Sequence, residues 1–221
     1  MEVGIIGGGF TGLAAGFYLK KRGIKATILE KDALPGGLAI GFKSKNWDWP
    51  LEMHYHHLFT SDSDILNLAK EVGVKVNFTA PQSSIFYQNS INRFDSPQSL
   101  LSFPHLDLIS KLRVAAVTAG LKLSPWLPVM DKITAKQFLI ATEGKTAYQT
   151  LWEPLFTGKF GSYANDISLS WYWARIFKRS SSLGYPEGGF QNLAQKIADN
   201  LDINYDISIK LDIIRVVKQY L

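Results

Sequence analysis

The chain has 221 residues, of which 46% are hydrophobic and 19% are charged, as is ordinary for a globular protein with one large or two small domains. It has no cysteine, which excludes disulfides, cysteine-ligated zinc, a redox dithiol and a flavin attached through cysteine, and which fits a cytoplasmic location. The net charge of +5 comes from scattered basic residues, so nucleic-acid binding is not expected.

The sequence shows neither a signal peptide nor a convincing membrane span. Glu2 stands where a basic leader would begin, and a strand pattern follows at once. The longest apolar stretch, residues 112–130, is interrupted by two basic residues and two prolines. We therefore expect a cytoplasmic protein that is either free in solution or in peripheral contact with a membrane.

The first thirty residues predict a βαβ unit. Residues 3–6 are a β-branched run bounded by glycines, which predicts a buried strand. Residues 11–22 predict a helix that ends in three basic residues and is followed by Gly23, as is typical of a helix C-terminus. Residues 25–30 predict a second strand, parallel to the first and joined to it by a right-handed crossover.

The turn between this strand and helix carries the pattern G-x-G-x-x-G at Gly7, Gly9 and Gly12. Gly7 permits the tight turn, Gly9 lets a pyrophosphate approach the backbone, and Gly12, with Gly16, lets the helix lie close to the strands. Phosphates would then bind at the helix N-terminus, where free N–H groups favour anions. Because the pattern follows a predicted strand and opens a predicted helix, it indicates dinucleotide binding.

The residues after the βαβ unit bear on which dinucleotide binds. Glu30 ends the second strand, where a carboxylate accepts hydrogen bonds from ribose hydroxyls and would repel the 2′-phosphate of NADP. The βαβ unit alone does not separate FAD from NAD, since both share the AMP half. The pair Gly36-Gly37 favours FAD, because a second close backbone segment suits a long, extended cofactor; the alternative is an ordinary turn.

The remainder of the chain is predicted to be mixed and mostly helical. Its elements are a loop with short strands over 34–50, a helix over 61–72 capped by Ser61 or Ser63, a hairpin over 84–94, broken helices over 97–145, helices over 145–156 and 167–178, a loop over 184–189, a helix over 191–200 and a strand over 203–209. This order predicts an α/β fold in which a Rossmann-like FAD/NAD(P)-binding domain carries an inserted α+β, largely helical substrate domain. The expected boundaries are 1–80 for the first part of the FAD-binding domain, 81–183 for the inserted substrate domain and 184–221 for the return of the chain to the FAD-binding domain, which is incomplete.

The N-terminal forty residues resemble those of the superfamily of flavin amine oxidases, protoporphyrinogen oxidases and phytoene desaturases. The resemblance is carried by GIIGGGFTGLAAGFYLKKRGIKATILEKDALPGGLA, in which an acid and a glycine doublet follow the fingerprint. The later blocks LWEPLFTGKFG, SLSWYWARIFKRS and GYPEGGFQNLAQKIA are similar to a bacterial branch of protoporphyrinogen-oxidase-like proteins. The resemblance implies FAD as the cofactor and an FAD-dependent oxidoreductase as the activity.

The resemblance also assigns residues to the cofactor site. The backbone of Ile209 is expected to meet the adenine, and Leu38 stands where the family often has arginine. The full set of cofactor residues is Gly7, Gly9, Phe10, Thr11, Gly12, Glu30, Lys31, Gly36, Gly37, Leu38 and Ile209.

The family has a C-terminal segment that closes the FAD site near the flavin ring, and this sequence ends at Leu221 before such a segment. We therefore expect a truncated product, a fragment or half of a split protein, whose missing half a separate chain could supply. Activity of the 221 residues alone is in doubt on this expectation.

Candidate substrate residues are weaker. The aromatic block around Trp173 predicts either the lining of an apolar substrate cavity or ordinary core. His56 and His57 are candidates for a substrate pocket or for structural roles, and the pair His54 and His56 gives too few ligands to predict a metal site. Lys159 and Arg175 are candidates for holding an anionic group or for ordinary surface positions. No catalytic residue is predicted.

Three functions follow from these features. The first is an oxidoreductase that moves hydride from an apolar or amphipathic small molecule, of amine, porphyrinogen or polyene type, to flavin. The second is a flavin-dependent isomerase similar to the sugar-nucleotide mutases. The third is an inactive, truncated FAD-binding remnant.

Overall fold

The computed structural model describes residues 2–209, and these residues form ten strands and nine α-helices. The strands in chain order are β1 (Glu2–Ile6), β2 (Lys25–Leu29), β3 (Gly41–Phe42), β4 (Leu51–Glu52), β5 (Leu58–Phe59), β6 (Val76–Thr79), β7 (Ser84–Tyr87), β8 (Ser90–Arg93), β9 (Leu183–Pro186) and β10 (Asp202–Asn204). The helices are α1 (Phe10–Lys21), α2 (Ser63–Glu71), α3 (Pro97–Ser102), α4 (Leu108–Leu123), α5 (Ala135–Thr142), α6 (Lys145–Ala147), α7 (Glu153–Phe160), α8 (Leu169–Lys178) and α9 (Gly189–Ala198).

The chain divides into two compact units. The first unit runs to Thr79 and resumes at Ser182, and the second unit is Ala80–Ser181. The first unit is therefore assembled from two separate stretches of sequence, whereas the second is one continuous stretch. That the first unit serves FAD and the second serves the substrate stays a prediction.

The parallel sheet of the first unit confirms the predicted βαβ unit. Its strand order is β1-β2-β10, and β1 pairs in parallel with β2 so that Ile5 lies opposite Ile28. The connecting helix α1 packs on the sheet through Leu13, which is wholly buried, as is Ile28. Gly16 makes this approach close, because a Cβ there would lie 3.0 Å from the Ile28 Cδ1 atom.

The last strand is shorter than predicted. The pattern over 203–209 predicts a long strand, but β10 ends at Asn204, whose carbonyl accepts the N–H of Glu30 at 2.9 Å. Two residues later Asp206 has φ of +59°, which bends the chain out of the extended conformation. Ile209 therefore lies half-buried in irregular chain beyond the strand.

A second sheet of the first unit has the order β5-β9-β6, with β9 antiparallel to both neighbours. The prediction of a loop over 184–189 is wrong for its first half, which belongs to β9. Gly184 serves close packing here, since a Cβ would lie 2.7 Å from the ring of Phe78. Only Gly188 and Gly189 make the expected turn, with φ of +78° and +87°, and α9 follows.

Two helices complete the core of the first unit. α2 and α9 bury an apolar cluster with α1 and β2, made of Leu13, Ile28, Leu68, Ala69, Val74, Leu193, Ala194, Ile197 and Ala198. The predicted helix cap at Ser61 or Ser63 is wrong, because the residue before the first turn of α2 is Asp62. The Asp62 carboxylate accepts the N–H of Phe59 at 2.8 Å and so fixes the chain that enters the helix.

The second unit consists of one hairpin and helices α3 to α8. The hairpin β7-β8 confirms the prediction, and its two turn residues, Gln88 and Asn89, have φ of +47° and +60°, as a two-residue hairpin turn requires. Between α6 and α7 the chain makes a π-helical turn at Tyr148–Trp152. The core of this unit is aromatic, with Phe156 and Tyr172 almost wholly buried.

The longest apolar stretch of the sequence, residues 112–130, is not one element. α4 ends at Leu123, and a 3-10 turn at Pro128–Asp131 follows after an irregular segment. Across residues 2–209, no helix combines the length and the apolar composition that a membrane crossing requires.

Candidate functional site

The glycine turn between β1 and α1 has the geometry that its sequence predicts. Gly7 has φ of +98°, and its N–H donates to the carbonyl of Leu29 at 2.8 Å. A Cβ on Gly12 would lie 2.0 Å from the carbonyl oxygen of Gly7, so no side chain fits there. The two glycines thus let α1 start directly against the end of β1.

The N-terminus of α1 is suited to an anion. Gly9 precedes the first turn, and neither a side-chain cap nor an acidic residue occupies this end of the helix. The N–H groups of Phe10, Thr11 and Gly12 lie in the first turn, where an α-helix has no internal acceptors for them. Together with the positive end of the helix dipole, this backbone favours a phosphate group.

The glycine doublet lies against the fingerprint loop. The N–H of Gly36 donates to the carbonyl of Gly8 at 2.9 Å, and Gly9 and Gly36 form a parallel β-bridge. Gly37 has φ of +58°, and a Cβ on it would lie 3.2 Å from the Gly9 Cα atom. The two glycine segments therefore form one surface of bare backbone, which the sequence analysis predicted as a pair of neighbouring segments.

Glu30 is turned toward this surface. It is only 4% exposed, and its carboxylate accepts hydrogen bonds from the N–H groups of Gly8 and, at 2.9 Å, Asp32. A carboxylate has about four acceptor positions, so two remain for ribose hydroxyls. Burial raises the pKa of the nearby Tyr205 hydroxyl, and the negative charges of Glu30 and Asp199 raise it further.

Three further predicted cofactor residues follow elements of the first unit along the chain. Lys31 is exposed directly after Glu30, and Leu38 is 74% exposed in the 3-10 turn Gly37–Ala39. Ile209 follows the end of β10. The bare backbone, the open helix end and the buried acid together fit the pyrophosphate and ribose of FAD, with Glu30 and the first turn of α1 as the groups that would hold them.

Replacing Glu30 with glutamine tests how the acid supports the glycine loop. Glutamine has one acceptor oxygen, so its NH₂ group would face one of the two backbone N–H donors, and we expect the free energy of unfolding to fall by about 2 kcal/mol. Asp32→Asn is the matched control, because it removes the same charge from an exposed side chain and keeps both hydrogen bonds. Equal urea midpoints for the two variants would contradict this role of Glu30.

Glu52 was missed by the sequence analysis. Its carboxylate accepts the Tyr185 hydroxyl and, at 2.8 Å, the N–H of Phe190 in the first turn of α9. Burial and the Glu52 carboxylate raise the pKa of Tyr185 well above its usual range. The N-terminus of α9 therefore has its own protein anion, and nothing in the local sequence pattern indicates this long-range pairing.

The predicted histidines lie among aromatic rings of the first unit. The Nδ1 atom of His56 lies 2.6 Å from the carbonyl oxygen of His54, and its ring contacts Phe190 at 5.7 Å between centroids. The ring of His57 lies between those of Tyr55 and Phe59, at 5.1 and 4.9 Å. His54 and His56 lie in irregular chain between β4 and β5, so the alternation of side chains along a strand does not bring them to one face. A substrate role for either histidine stays a prediction.

The second unit contains a cavity of about 640 Å³. Its wall includes Arg175 and two of the aromatic residues around it, Trp171 and Tyr172. Two other predicted substrate residues lie outside this lining: Lys159 is exposed on α7, and the Trp173 indole donates to the Ser124 carbonyl at 2.9 Å. Tyr172 belongs to the core and to the cavity wall at once, and a substrate role for this wall stays a prediction.

A buried acid next to this cavity was also missed. Glu143 is wholly buried and accepts the indole N–H of Trp152, a cavity residue, at 2.6 Å. Burial raises the pKa of Glu143 to about 7, and the hydrogen bond from Trp152 offsets part of the shift. Among the described residues, the second Glu143 oxygen and the Tyr172 hydroxyl are buried without a hydrogen-bond partner. At the end of a predicted helix, just before Gly144, this acid looks like an ordinary surface residue.

Known proteins are similar to this chain in sequence and in fold. Residues 10–210 match the sequence model of the family described as flavin containing amine oxidoreductase. The 15-cis-phytoene desaturase of Narcissus pseudonarcissus is 30% identical over 105 residues, which are 45% of this chain and 18% of the desaturase.

Two solved structures illustrate the likeness in fold. A putative protoporphyrinogen oxidase from Exiguobacterium sp. 255-15 has a TM-score of 0.61 at 18% identity, over 93% of this chain and 52% of that protein. A reduced UDP-galactopyranose mutase has a TM-score of 0.67 at 16% identity, over 92% of this chain and 48% of the mutase. At these identities the structures show the fold alone, and the chain spans about half the length of each.

Proposed function

The chain belongs to the flavin containing amine oxidoreductase family, with FAD as its cofactor, and we propose that it carries the FAD site and the substrate cavity of an enzyme that oxidises an apolar or amphipathic small molecule by two electrons. The observation that carries the proposal is the surface of bare backbone formed by the two glycine segments, with Glu30 buried beside it.

We assign the pyrophosphate to the N–H groups of the first turn of α1. Gly37 lets the two glycine segments lie close together, because a Cβ on it would lie 3.2 Å from the Gly9 Cα atom. Glu30 is assigned to the ribose hydroxyls and Ile209 to the adenine, with Lys31 and Leu38 at the borders of the site. FAD, when bound, accepts hydride from the substrate; the residues of the chain bind and orient it.

We assign the substrate to the second unit. Its cavity of about 640 Å³ has the volume of a small-molecule site and largely apolar walls. Amines, porphyrinogens and polyenes all have large apolar parts that such walls would shield from water. The unit offers Arg175 as a polar group at the cavity, and His56, His57, Lys159 and Trp173 stay further candidates outside this lining.

Isomerisation is the second candidate, and the likeness to UDP-galactopyranose mutase supports it. The mutase covers as much of this chain as the oxidase does, so the fold does not separate the two reactions. The balance of electrons separates them: an oxidoreductase releases a product two electrons more oxidised than its substrate, and an isomerase releases an isomer. A remnant without turnover would bind FAD and release neither.

We expect the purified protein to carry FAD, and we expect one substrate class to bleach the flavin absorbance when oxygen is excluded. The panel is a primary alkylamine, a porphyrinogen and a polyene, each added without oxygen and then with it, with mass spectrometry of the product. A product two hydrogens poorer supports oxidation; for the amine this is the imine or the aldehyde and ammonia that its hydrolysis releases. An isomeric product supports the mutase-like reaction. Protein that takes up neither FAD nor ADP would overturn the proposed function altogether.

A further inference from the structure

The cavity of the second unit combines apolar walls with two cationic side chains. Arg175 and Arg179 both line it: Arg175 is in α8, and Arg179 lies four positions further along the chain, directly after the last residue of the helix. The lining also includes the apolar residues Val114, Leu151 and Ile176. We propose that this cavity binds a molecule with an elongated apolar body and one anionic end, such as a carboxylate. The two guanidinium groups would hold that anionic end.

Neither arginine has an acidic partner within residues 2–209. Arg175 lies over the ring of Trp171 at 5.3 Å, and the Nη2 atom of Arg179 donates a long hydrogen bond of 3.4 Å to Ser83 Oγ. Both guanidinium groups line one cavity, so their like charges repel each other, and a shared anion would offset that repulsion. The planar guanidinium also matches a carboxylate with two parallel hydrogen bonds.

The acid in the lining does not compete for these arginines. Asp95 is the carboxylate that lines the cavity, and both of its oxygens accept from Arg93 Nε, at 2.8 and 3.0 Å. The hydrogen bond from Arg93 also holds the pKa of Asp95 below its usual range. The negative charge of the lining is therefore neutralised by a residue outside it, and the two arginines leave the cavity positive.

The backbone that carries the arginines is fixed. The ammonium group of Lys122 on α4 donates to the carbonyls of Phe177 at 2.9 Å and Arg179 at 2.6 Å, at the end of α8. This cation satisfies carbonyl groups that a helix leaves without partners at its C-terminus. The site is thus held between α4 and α8, which both contribute to the cavity wall.

This inference rests on the proposed function for one point, that the bound molecule is the one oxidised. Binding itself is independent of flavin. The probes are dodecanoate, dodecanol and dodecyltrimethylammonium, which share an apolar body and differ in charge, and calorimetry on the full chain measures their affinities. We expect dodecanoate to bind about tenfold more tightly than dodecanol, and the cationic probe to bind more weakly still.

Arg175→Gln and Arg179→Gln should each weaken dodecanoate binding about tenfold and leave dodecanol binding unchanged. Lys178→Gln is the matched control, because Lys178 is an exposed cation of α8 outside the lining, and we expect no change. Ala115→Trp, which fills the cavity from α4, should abolish binding of all three probes. Circular dichroism checks that each variant is folded.

Several outcomes would overturn the inference: no binding of dodecanoate, equal affinities for the three probes, or the same loss in Lys178→Gln as in the arginine variants. Flavin content and anaerobic bleaching are measured on the same preparations. If a substrate bleaches the flavin but the probes show no charge preference, only this inference fails. If dodecanoate binds as expected and the protein takes up no FAD, only the proposed function fails.

Discussion

Replacing Gly12 with alanine is expected to yield protein without FAD and to lower the free energy of unfolding by about 3 kcal/mol. The new Cβ would lie 2.0 Å from the Gly7 carbonyl oxygen and 3.3 Å from the Ile5 Cγ2 atom. Because the first contact is with backbone, the start of α1 has to move away from β1 to relieve it. That movement displaces the N–H groups to which the pyrophosphate is assigned. Flavin absorbance per protein and urea unfolding measure the two effects.

Gly4→Ala is the control for this prediction. Gly4 lies in β1, close to the same turn, but a Cβ there meets no atom within 4 Å. We expect this variant to keep both its FAD and its stability. If Gly12→Ala retained as much flavin as Gly4→Ala, the close approach of α1 to the glycine turn would not be what creates the cofactor site.

Replacing Glu143 with glutamine is expected to stabilise the protein at alkaline pH, by about 3 kcal/mol. Burial raises the pKa of Glu143 from 4.5 to about 7, so the folded state keeps a proton that the unfolded state releases. The stability of the wild type relative to the variant is therefore highest below pH 4.5, falls as the pH rises toward 7, and stays low above it. Glutamine stays neutral throughout and retains an acceptor for Trp152.

Urea unfolding at about pH 5 and about pH 8 measures this difference. Tryptophan fluorescence is a suitable probe, because four of the six tryptophans belong to the second unit: Trp126, Trp152, Trp171 and Trp173. Asp166→Asn removes an exposed carboxylate of the same unit and should follow the wild type at both pH values. A Glu143→Gln variant whose advantage over the wild type did not grow with pH would show that Glu143 is already ionised in the folded protein.

The parts of the fold that could be predicted are those whose constraint is local. The turn at Gly7 and the contact at Gly12 arise within a few residues of each other, so their spacing in the sequence is enough to predict them. The hairpin turn at Gln88 and Asn89 is similar, since two residues alone determine it. Glu30 was predictable because the length of a βαβ unit fixes where its second strand ends.

The parts that could not be predicted depend on residues far apart in the chain. Gly184 looks like a turn residue, but in the structure it lies in the central strand of a sheet because it packs on Phe78. Glu52 and Glu143 look like surface acids, yet Glu52 is half-buried against Phe190 and Glu143 is wholly buried beside Trp152. These positions follow from tertiary packing, which no local pattern encodes.

The division of the first unit into two stretches of sequence has a consequence for synthesis on the ribosome. β9 lies between β5 and β6, and β10 completes the parallel sheet beside β2, so both sheets wait for residues made after Ser182. The second unit is a continuous stretch whose last residue is made before either of those strands. Folding during translation would therefore complete the second unit first. The first stretch of the first unit, which carries the glycine loop, would stay partly folded and exposed to aggregation until β9 and β10 are made.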